Sequence, residues 1–246
     1  MPTPREVPAR EGDLGEAVLR PSRGRHAFES CVGRLATAIR LGIYPTGSAL
    51  PPERELAETM GVSRATLREA IAALRTAGMV RTTRGRGGGT VVTFEPTTPG
   101  HGPDLSGRRA ELLDALDFRR IVEPGAAHLA ATRTLTGEQR HALEIALKEV
   151  AASPDPAAHR QADSRLHLAI AAATESSLTV SAVTRVQGDL HDMLNAIPVL
   201  EVNIEHSNAQ HQGIVDAILA GDPGRARRVM EAHCDDTAAL LRGLLD

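Results

Sequence analysis

The sequence predicts a mostly α chain, with a small N-terminal unit of helices carrying a short β hairpin, followed by an all-α antiparallel helical bundle. Three features predict it. Two short helical patterns separated by a glycine, then a Gly-rich β-branched segment, fill the first third of the chain. A Pro/Gly break follows at 93–108. Beyond the break, every stretch of sequence repeats with helical rather than strand periodicity.

In chain order, residues 1–24 carry scattered charge and prolines with no apolar run, and read as an extension outside any core rather than a leader peptide. The first folded unit is expected over 25–93. Residues 94–107 form the linker: three Pro and two Gly between Thr93 and Pro103 cannot sustain a helix or a central strand. The second unit is expected over 108–246, with amphipathic stretches at about 108–133, 137–151, 156–174, 177–196, 200–220 and 223–245. Thr136 with Gln139 makes a capping box, Ser153-Pro154-Asp155-Pro156 stops one helix and starts the next, Pro198 interrupts another, and Asp222-Pro223 caps the last.

Composition narrows the function. The 246 residues include three Phe, one Tyr and no Trp, so the core is aliphatic and suits close helix packing. Two cysteines far apart make neither a disulfide scaffold nor a thiolate zinc site, and a reducing cytoplasm fits them. No run approaches the roughly 20 apolar residues that span a bilayer, so no membrane partner is expected. The net charge of −3 conceals an asymmetry: 25–93 holds ten Arg against five Glu, whereas 107–246 is acidic. A basic unit beside an acidic one suggests that the first meets a polyanion.

The segment from Leu50 to Gly78 explains that charge. Pro51-Pro52 leads into a short helix, Glu53–Met60. Gly61 supplies a left-handed turn, Ser63 caps a second helix at Arg64–Ala77, and Gly78 ends it. Ala57, four residues before Gly61, lets the two helices cross closely. This is the helix-turn-helix pattern. Arg64, Thr66 and Arg68 occupy the first turns of the second helix, the part that enters a major groove, where Arg can donate to guanine O6 and N7. Arg54 is placed to reach a phosphate or a base edge. A solvated face of Arg and Glu is the plain alternative, and the turn signature weighs against it. Met79 to Val92 reads as a hairpin wing whose tip, with Arg84, Arg86 and Gly87, can approach phosphates or the minor groove. A phosphate-cradling nucleotide loop is excluded for GRGGGT, because the Lys-Ser/Thr ending and a following helix are missing.

In the second unit, Asp163 and His167 are four apart and share an inward helix face with Leu166 and Ile170. His211 precedes Ile214, Val215 and Ile218 at core spacing, and His233 sits in a stripe with Val229, Met230 and Leu240. A single inward histidine is usually a satisfied core residue. Four such groups together need a partner, and three imidazoles with one carboxylate suit a divalent cation, zinc first, with nickel or manganese also able to bind.

The run GIYPTGSALPPERELAETMGVSRATLREAIAALRTAGMVRTTRGRGGGTVV resembles the winged-helix domain of the GntR family of bacterial regulators. LDFRRIVEPGAAHLAA, ADSRLHLAIAAAT and HQGIVDAILAGDPGRARRVMEAH resemble the FCD effector domain of its FadR subfamily. The resemblance implies that Arg54, Arg64, Arg68 and Gly87 contact the operator, with Ser63 and Thr66 on phosphates. It implies that Asp163, His167, His211 and His233 hold the metal, and that His128, His141, His159, His191 and His206 are surface or packing residues. Leu166 stands where the family usually has Phe. Arg119 is expected to look into an effector cavity and pair with a small carboxylate; a structural ion pair with Asp117 or Glu123 is the alternative. Gln187 and Asn203 are further pocket candidates by helix position. The expected whole is a homodimer on a pseudo-palindromic site of double-stranded DNA, a repressor rather than an enzyme, with a metal-dependent hydrolase as the competing reading.

Overall fold

The computed structural model describes residues 27–83, 89–95, 106–196 and 201–245, with side chains undescribed at 106, 195–196, 201–203 and 243–245. Arg84, Arg86 and Gly87 of the wing tip, Pro198 and the side chain of Asn203 lie outside the described residues.

The N-terminal elements are α1 (Ala27–Arg40), α2 (Glu53–Met60), α3 (Arg64–Thr76), β1 (Val80–Thr82) and β2 (Thr90–Val92). Gly61 ends α2 with φ 66°, and its N–H reaches the carbonyls of Ala57 and Glu58. Ser63 caps α3 by accepting from the Thr66 N–H at 3.0 Å. The expected turn chemistry is therefore what folds here. β1 and β2 pair antiparallel with Val80 opposite Val92 and Thr82 opposite Thr90. Cys31, Leu35 and Ile39 of α1 pack with Leu56, Leu67, Ala70, Leu74, Val80 and Val92 in one buried cluster.

After a 3-10 turn at Ser106–Arg108, the remaining elements are helices: α4 (Arg109–Ala131), α5 (Gly137–Ala151), α6 (Pro156–Ala172), α7 (Ser177–Ala196), α8 (Glu201–Leu219) and α9 (Pro223–Leu245). Their starts follow the sequence signals. Thr136 and Gln139 close a complete capping box. Asp155 accepts from the Ala158 N–H at 2.8 Å ahead of Pro156, and Asp222 accepts from the Arg225 N–H at 2.9 Å ahead of Pro223.

α4 is the central helix and touches α6, α7, α8 and α9. The main core is built from small and aliphatic side chains: Ala127 and Ala130 of α4, Leu143 and Val150 of α5, Leu166 and Ile170 of α6, Ile214 and Ile218 of α8, and Met230 of α9. Leu166, at the position of the expected Phe, is fully buried there. Alanines along α4 let the helices approach closely, so polar groups inside the bundle have little room for water.

The end of α1 meets the bundle directly. Arg40 pairs with Asp192 of α7 at 3.2 Å, and its carbonyl accepts from the Gln161 amide of α6 at 2.9 Å. Gly42 follows with φ +70°, and a Cβ there would lie 2.8 Å from Arg165 of α6. Arg108, where the linker ends, approaches both Asp189 and Asp192 at 3.7 Å. Asp192 is thus shared by a residue of the N-terminal unit and the first residues of the bundle.

Candidate metal centre and DNA-reading surface

Asp163 and His167 of α6, His211 of α8 and His233 of α9 come together in the bundle interior. All four are buried, and one donor atom from each lies within 4.8 Å of the others. The imidazole centroids are 5.5 Å (His167–His211), 5.1 Å (His167–His233) and 4.6 Å (His211–His233) apart.

How these rings meet their neighbours is more telling than their proximity. His211 Nε2 stands 3.2 Å from Asp163 Oδ1, and yet neither ring nitrogen of His211 is aligned for a hydrogen bond. Both nitrogens of His167 and Nε2 of His233 are likewise buried without a hydrogen-bond partner. A buried polar atom left unpaired costs about 1–3 kcal/mol, so histidines placed only for packing would be a heavy liability. Ligands of one tetrahedral cation, bonded at about 2.0–2.2 Å, stand roughly 3.3 Å apart with their lone pairs converging rather than facing one another. The Asp163–His211 contact has that character, and the donor set of one carboxylate and three imidazoles fits a borderline cation such as zinc. A cation here would be held by these four residues.

A second polar layer backs the cluster. Glu123 of α4 takes the Arg119 Nε–H at 2.9 Å and the Gln187 amide at 2.6 Å. It also lies 3.0 Å from His167 Nδ1, without hydrogen-bond alignment. Cys234 donates its thiol to the same carboxylate at 3.7 Å. Burial alone would raise the Glu123 carboxyl, but Arg119 and then His167 outweigh it and hold it far below the usual carboxylate range. Burial likewise works against Arg119, and Glu123 overcomes it, keeping the guanidinium firmly charged. The Cys234 thiol is pushed up to about 12, chiefly by burial, and is inert.

The imidazoles move the other way. Burial brings His211 down to about 4 against the pull of Asp163, and burial with His211 and Arg119 nearby takes His233 well below its ordinary value. Both rings are therefore neutral at pH 7, which is the form that binds a cation.

The three effector candidates fall differently. Arg119 is buried and in an ion pair with Glu123, while its Nη1 has no hydrogen-bond partner. Gln187 is fully buried, with its amide nitrogen on Glu123 and its Oε1 unpaired. The side chain of Asn203 is outside the described residues. Of the histidines set aside, His128 bonds the Pro223 carbonyl, His159 pairs with Asn208, exposed His206 pairs with Asp236, and His141 is exposed. His191 is buried, with Nδ1 unpaired. The Arg119–Glu123 pair is the structural ion pair that the sequence left open as the alternative; what the sequence missed is that Gln187 and His167 approach the same carboxylate from other helices.

On the N-terminal unit, Arg54, Ser63, Arg64 and Arg68 are exposed, and Thr66 is half-buried, its hydroxyl 2.8 Å from that of Ser63. Arg68 is held by Glu53 at 2.7 Å and Arg54 lies 3.9 Å from Glu58. The α3 face therefore presents guanidinium groups to solvent, part of their charge balanced by local glutamates.

Residues 29–92 match the family described as bacterial regulatory proteins, gntR family, and residues 114–236 match the FCD domain. The protein named HTH-type transcriptional regulator RmpR of Mycobacterium gastri is 33% identical, covering 83% of this chain and 76% of that one. The Glc operon transcriptional activator of Escherichia coli K12 is 30% identical, over 78% of this chain and 80% of its own length. The regulator LutR of Bacillus subtilis 168 is 26% identical, over 85% and 98%. Among solved structures, Escherichia coli McbR/YncC shares the fold with a TM-score of 0.54 at 16% identity, covering 90% of this chain and 99% of that one.

Two outcomes follow from the cluster. Zinc added to chelator-treated protein should raise the melting temperature and bind at one ion per chain by mass spectrometry. His211→Ala should lose both effects, and a variant that still binds one zinc would remove His211 from the ligand set. Without metal, stability should fall as pH drops from about 6.5 to about 4, because the unfolded chain takes up protons that buried His211 and His191 refuse until about 4. Urea midpoints measured across that range check it; a flat profile would contradict the burial of neutral rings.

Proposed function

The chain belongs to the GntR family of bacterial transcription regulators and carries an FCD domain, and from that premise we propose that a metal-organised bundle controls its affinity for an operator through a small carboxylate effector. The observation that carries this reading is the buried cluster of Asp163, His167, His211 and His233, whose unpaired ring nitrogens stand in the same chain as a helix-turn-helix.

A cation in the cluster supplies Lewis acidity to a bound carboxylate. The protein's own residues do the rest. Glu123 and Gln187 brace the His167 side of the cluster, and Arg119, with Nη1 unpaired, offers a donor to the ligand. On the DNA side, Arg64 and Arg68 read base edges from the start of α3, Ser63 and Thr66 sit on phosphates, and Arg54 reinforces the contact. The wing residues Arg86 and Gly87 belong to the same footprint. Two such heads in a homodimer prefer a pseudo-palindromic site of double-stranded DNA. Ile121 and Phe118, exposed on α4, offer apolar surface for the second copy.

The sign proposed is repression relieved by ligand, in the cytoplasm where the operator lies; a relative named as an activator makes the sign worth measuring. The family and the relatives are transcription regulators rather than enzymes, and nothing supports the hydrolase reading. Among the described residues no helix is long and apolar enough to cross a membrane.

Coupling between the units runs through α6 and α7. Gln161 and Arg165 stand two residues either side of Asp163 and face the end of α1, and Asp192 grips Arg40. Any shift of α6 on the ligand is thereby felt by the DNA-reading head.

Fluorescence anisotropy on the protein's own upstream DNA tests both halves. Arg64→Ala and Arg68→Ala should each cost about 1–3 kcal/mol in specific binding and erase discrimination between operator and unrelated duplex; a double variant of unchanged specificity would refute the recognition-helix assignment. Asp192→Ala should leave zinc stoichiometry and DNA specificity intact while reducing the change in operator affinity that carboxylate metabolites produce. Equal responses in the wild type and this variant would show that the coupling takes another route.

A further inference from the structure

The three rings of the cluster differ on their outer sides. Among the described residues, neither nitrogen of His167 or of His211 has a hydrogen-bond partner, whereas His233 has one at Nδ1 and none at Nε2. The partner of His233 Nδ1 is Oε1 of Gln210, 3.1 Å away and carried on α8 immediately before His211. Glu123 lies as close to His167 Nδ1, at 3.0 Å, but out of alignment. His233 is thus the ring that the protein grips from behind.

What Gln210 presents to that ring is decided further out. Its Nε2 donates to Asp236 Oδ2 at 2.7 Å, and His206 Nε2 meets the same oxygen at 2.9 Å. A carboxylate only accepts, so the amide turns its NH2 toward Asp236 and its oxygen toward His233. An amide oxygen also only accepts. In the neutral imidazole, the form that takes up a cation, the proton of His233 therefore sits on Nδ1. The lone pair is left on Nε2, the buried nitrogen without a partner. His206 and Gln210 lie one turn apart on α8, and His233 and Asp236 lie within one turn on α9, so two packed helices supply the whole chain. Its outer end reaches solvent, with the His206 and Asp236 side chains 61% and 54% exposed, and Gln210 between them and the cluster is half-buried.

We propose that Gln210 is a positioning residue for the cation centre: held by Asp236, it fixes the Nδ1–H tautomer of His233 and leaves Nε2 as the ligating nitrogen. This rests on the metal reading given above and adds to it a residue that would touch no ion. A ligating imidazole whose other nitrogen is hydrogen-bonded is oriented in advance and made a better ligand, and loss of that support typically costs about 10–100-fold in metal affinity. A chain that served solely to stitch α8 to α9 would affect stability and leave the tautomer alone.

Two readouts on the full-length protein test the proposal. Nitrogen-15 NMR of histidine-labelled, metal-free protein should show His233 as the Nδ1–H tautomer, its signals identified by their loss in His233→Gln. Gln210→Leu, which keeps the bulk and removes the acceptor, should abolish that preference. It should also weaken zinc about 10–100-fold in chelator competition, with one ion per chain still bound at saturation. Gln210→Glu, which restores an acceptor, should recover the tautomer and most of the affinity. Asp236→Ala, an exposed change that frees the amide to turn, should move both readouts in the same direction as Gln210→Leu, and serves if that variant does not fold. An unchanged tautomer or zinc affinity in Gln210→Leu, or a Gln210→Glu variant as weak as Gln210→Leu, would overturn the proposal. Failure of wild type to hold zinc would instead sink the metal reading, and the His233 tautomer would still decide whether Gln210 orients the ring.

Discussion

The helical bundle depends on how it resolves one cost: five ring nitrogens of His167, His211 and His233 are buried with no hydrogen-bond partner. At about 1–3 kcal/mol each, that liability is comparable with the whole stability of a typical domain. Three helices, α6, α8 and α9, contribute to it, so whatever takes up those lone pairs also ties the three together. Coordination is the chemistry that satisfies several convergent nitrogens at once, and it is favoured here because burial keeps His211 and His233 neutral. Glu123 and Arg119 serve the same end from α4. Each is deeply buried, and each is tolerable only because the other is present.

The polar interior also determines where the bundle can transmit movement. α6 carries Asp163 and His167 on its inner face and Gln161 and Arg165 toward the end of α1. A rigid helix with candidate ligands on one side and a docked neighbour on the other would convert a small inner displacement into an outer one. The fit around Gly42 supports this, since a Cβ there would press on Arg165 and Gln161, and its positive φ already suits glycine alone. Contact this close is sensitive to the small shifts that a ligand can cause.

Much of this was legible in the sequence, and the division between what was and what was not is physical. The helix-turn-helix is local: Gly61 in the left-handed region, Ser63 at the cap and Gly78 beyond the helix are each decided by residues within a few positions. The cluster was legible because Asp163 and His167 lie on one helix face, and because His211 and His233 fall on stripes that must turn inward. What the sequence withheld are pairings between distant elements. Nothing near Arg40 announces Asp192, and nothing near Gln187 announces Glu123. Arg119 stood out only through the family resemblance, and whether its carboxylate partner is internal or a ligand depends on packing that no spacing rule encodes; Glu123 takes one of its nitrogens and leaves another without a hydrogen-bond partner. His191 looked ordinary because burial of a lone histidine depends on its tertiary neighbours.

The same burial that makes the cluster expensive makes it selective. A histidine at its ordinary pKa of about 6.5 leaves the proton an appreciable competitor for a ring nitrogen near neutrality, and the metal must displace it. Depressing His211 to about 4 removes the proton from that competition across the physiological range. On the reading proposed here, such a site would answer to a cation rather than to the proton near neutrality. Asp163 is held below its usual range against its burial, with His211 first and then His167, His159 and Arg119 drawing it down, so it too is available as a charged ligand without releasing a proton. A centre arranged in this way loses little to protonation on loading, so the energy of binding can go into fixing α6, α8 and α9 against α4. In the proposed mechanism an occupant of the centre would set the position of α6, and the contacts of α6 and α7 with the end of α1 would pass that position to the helix-turn-helix.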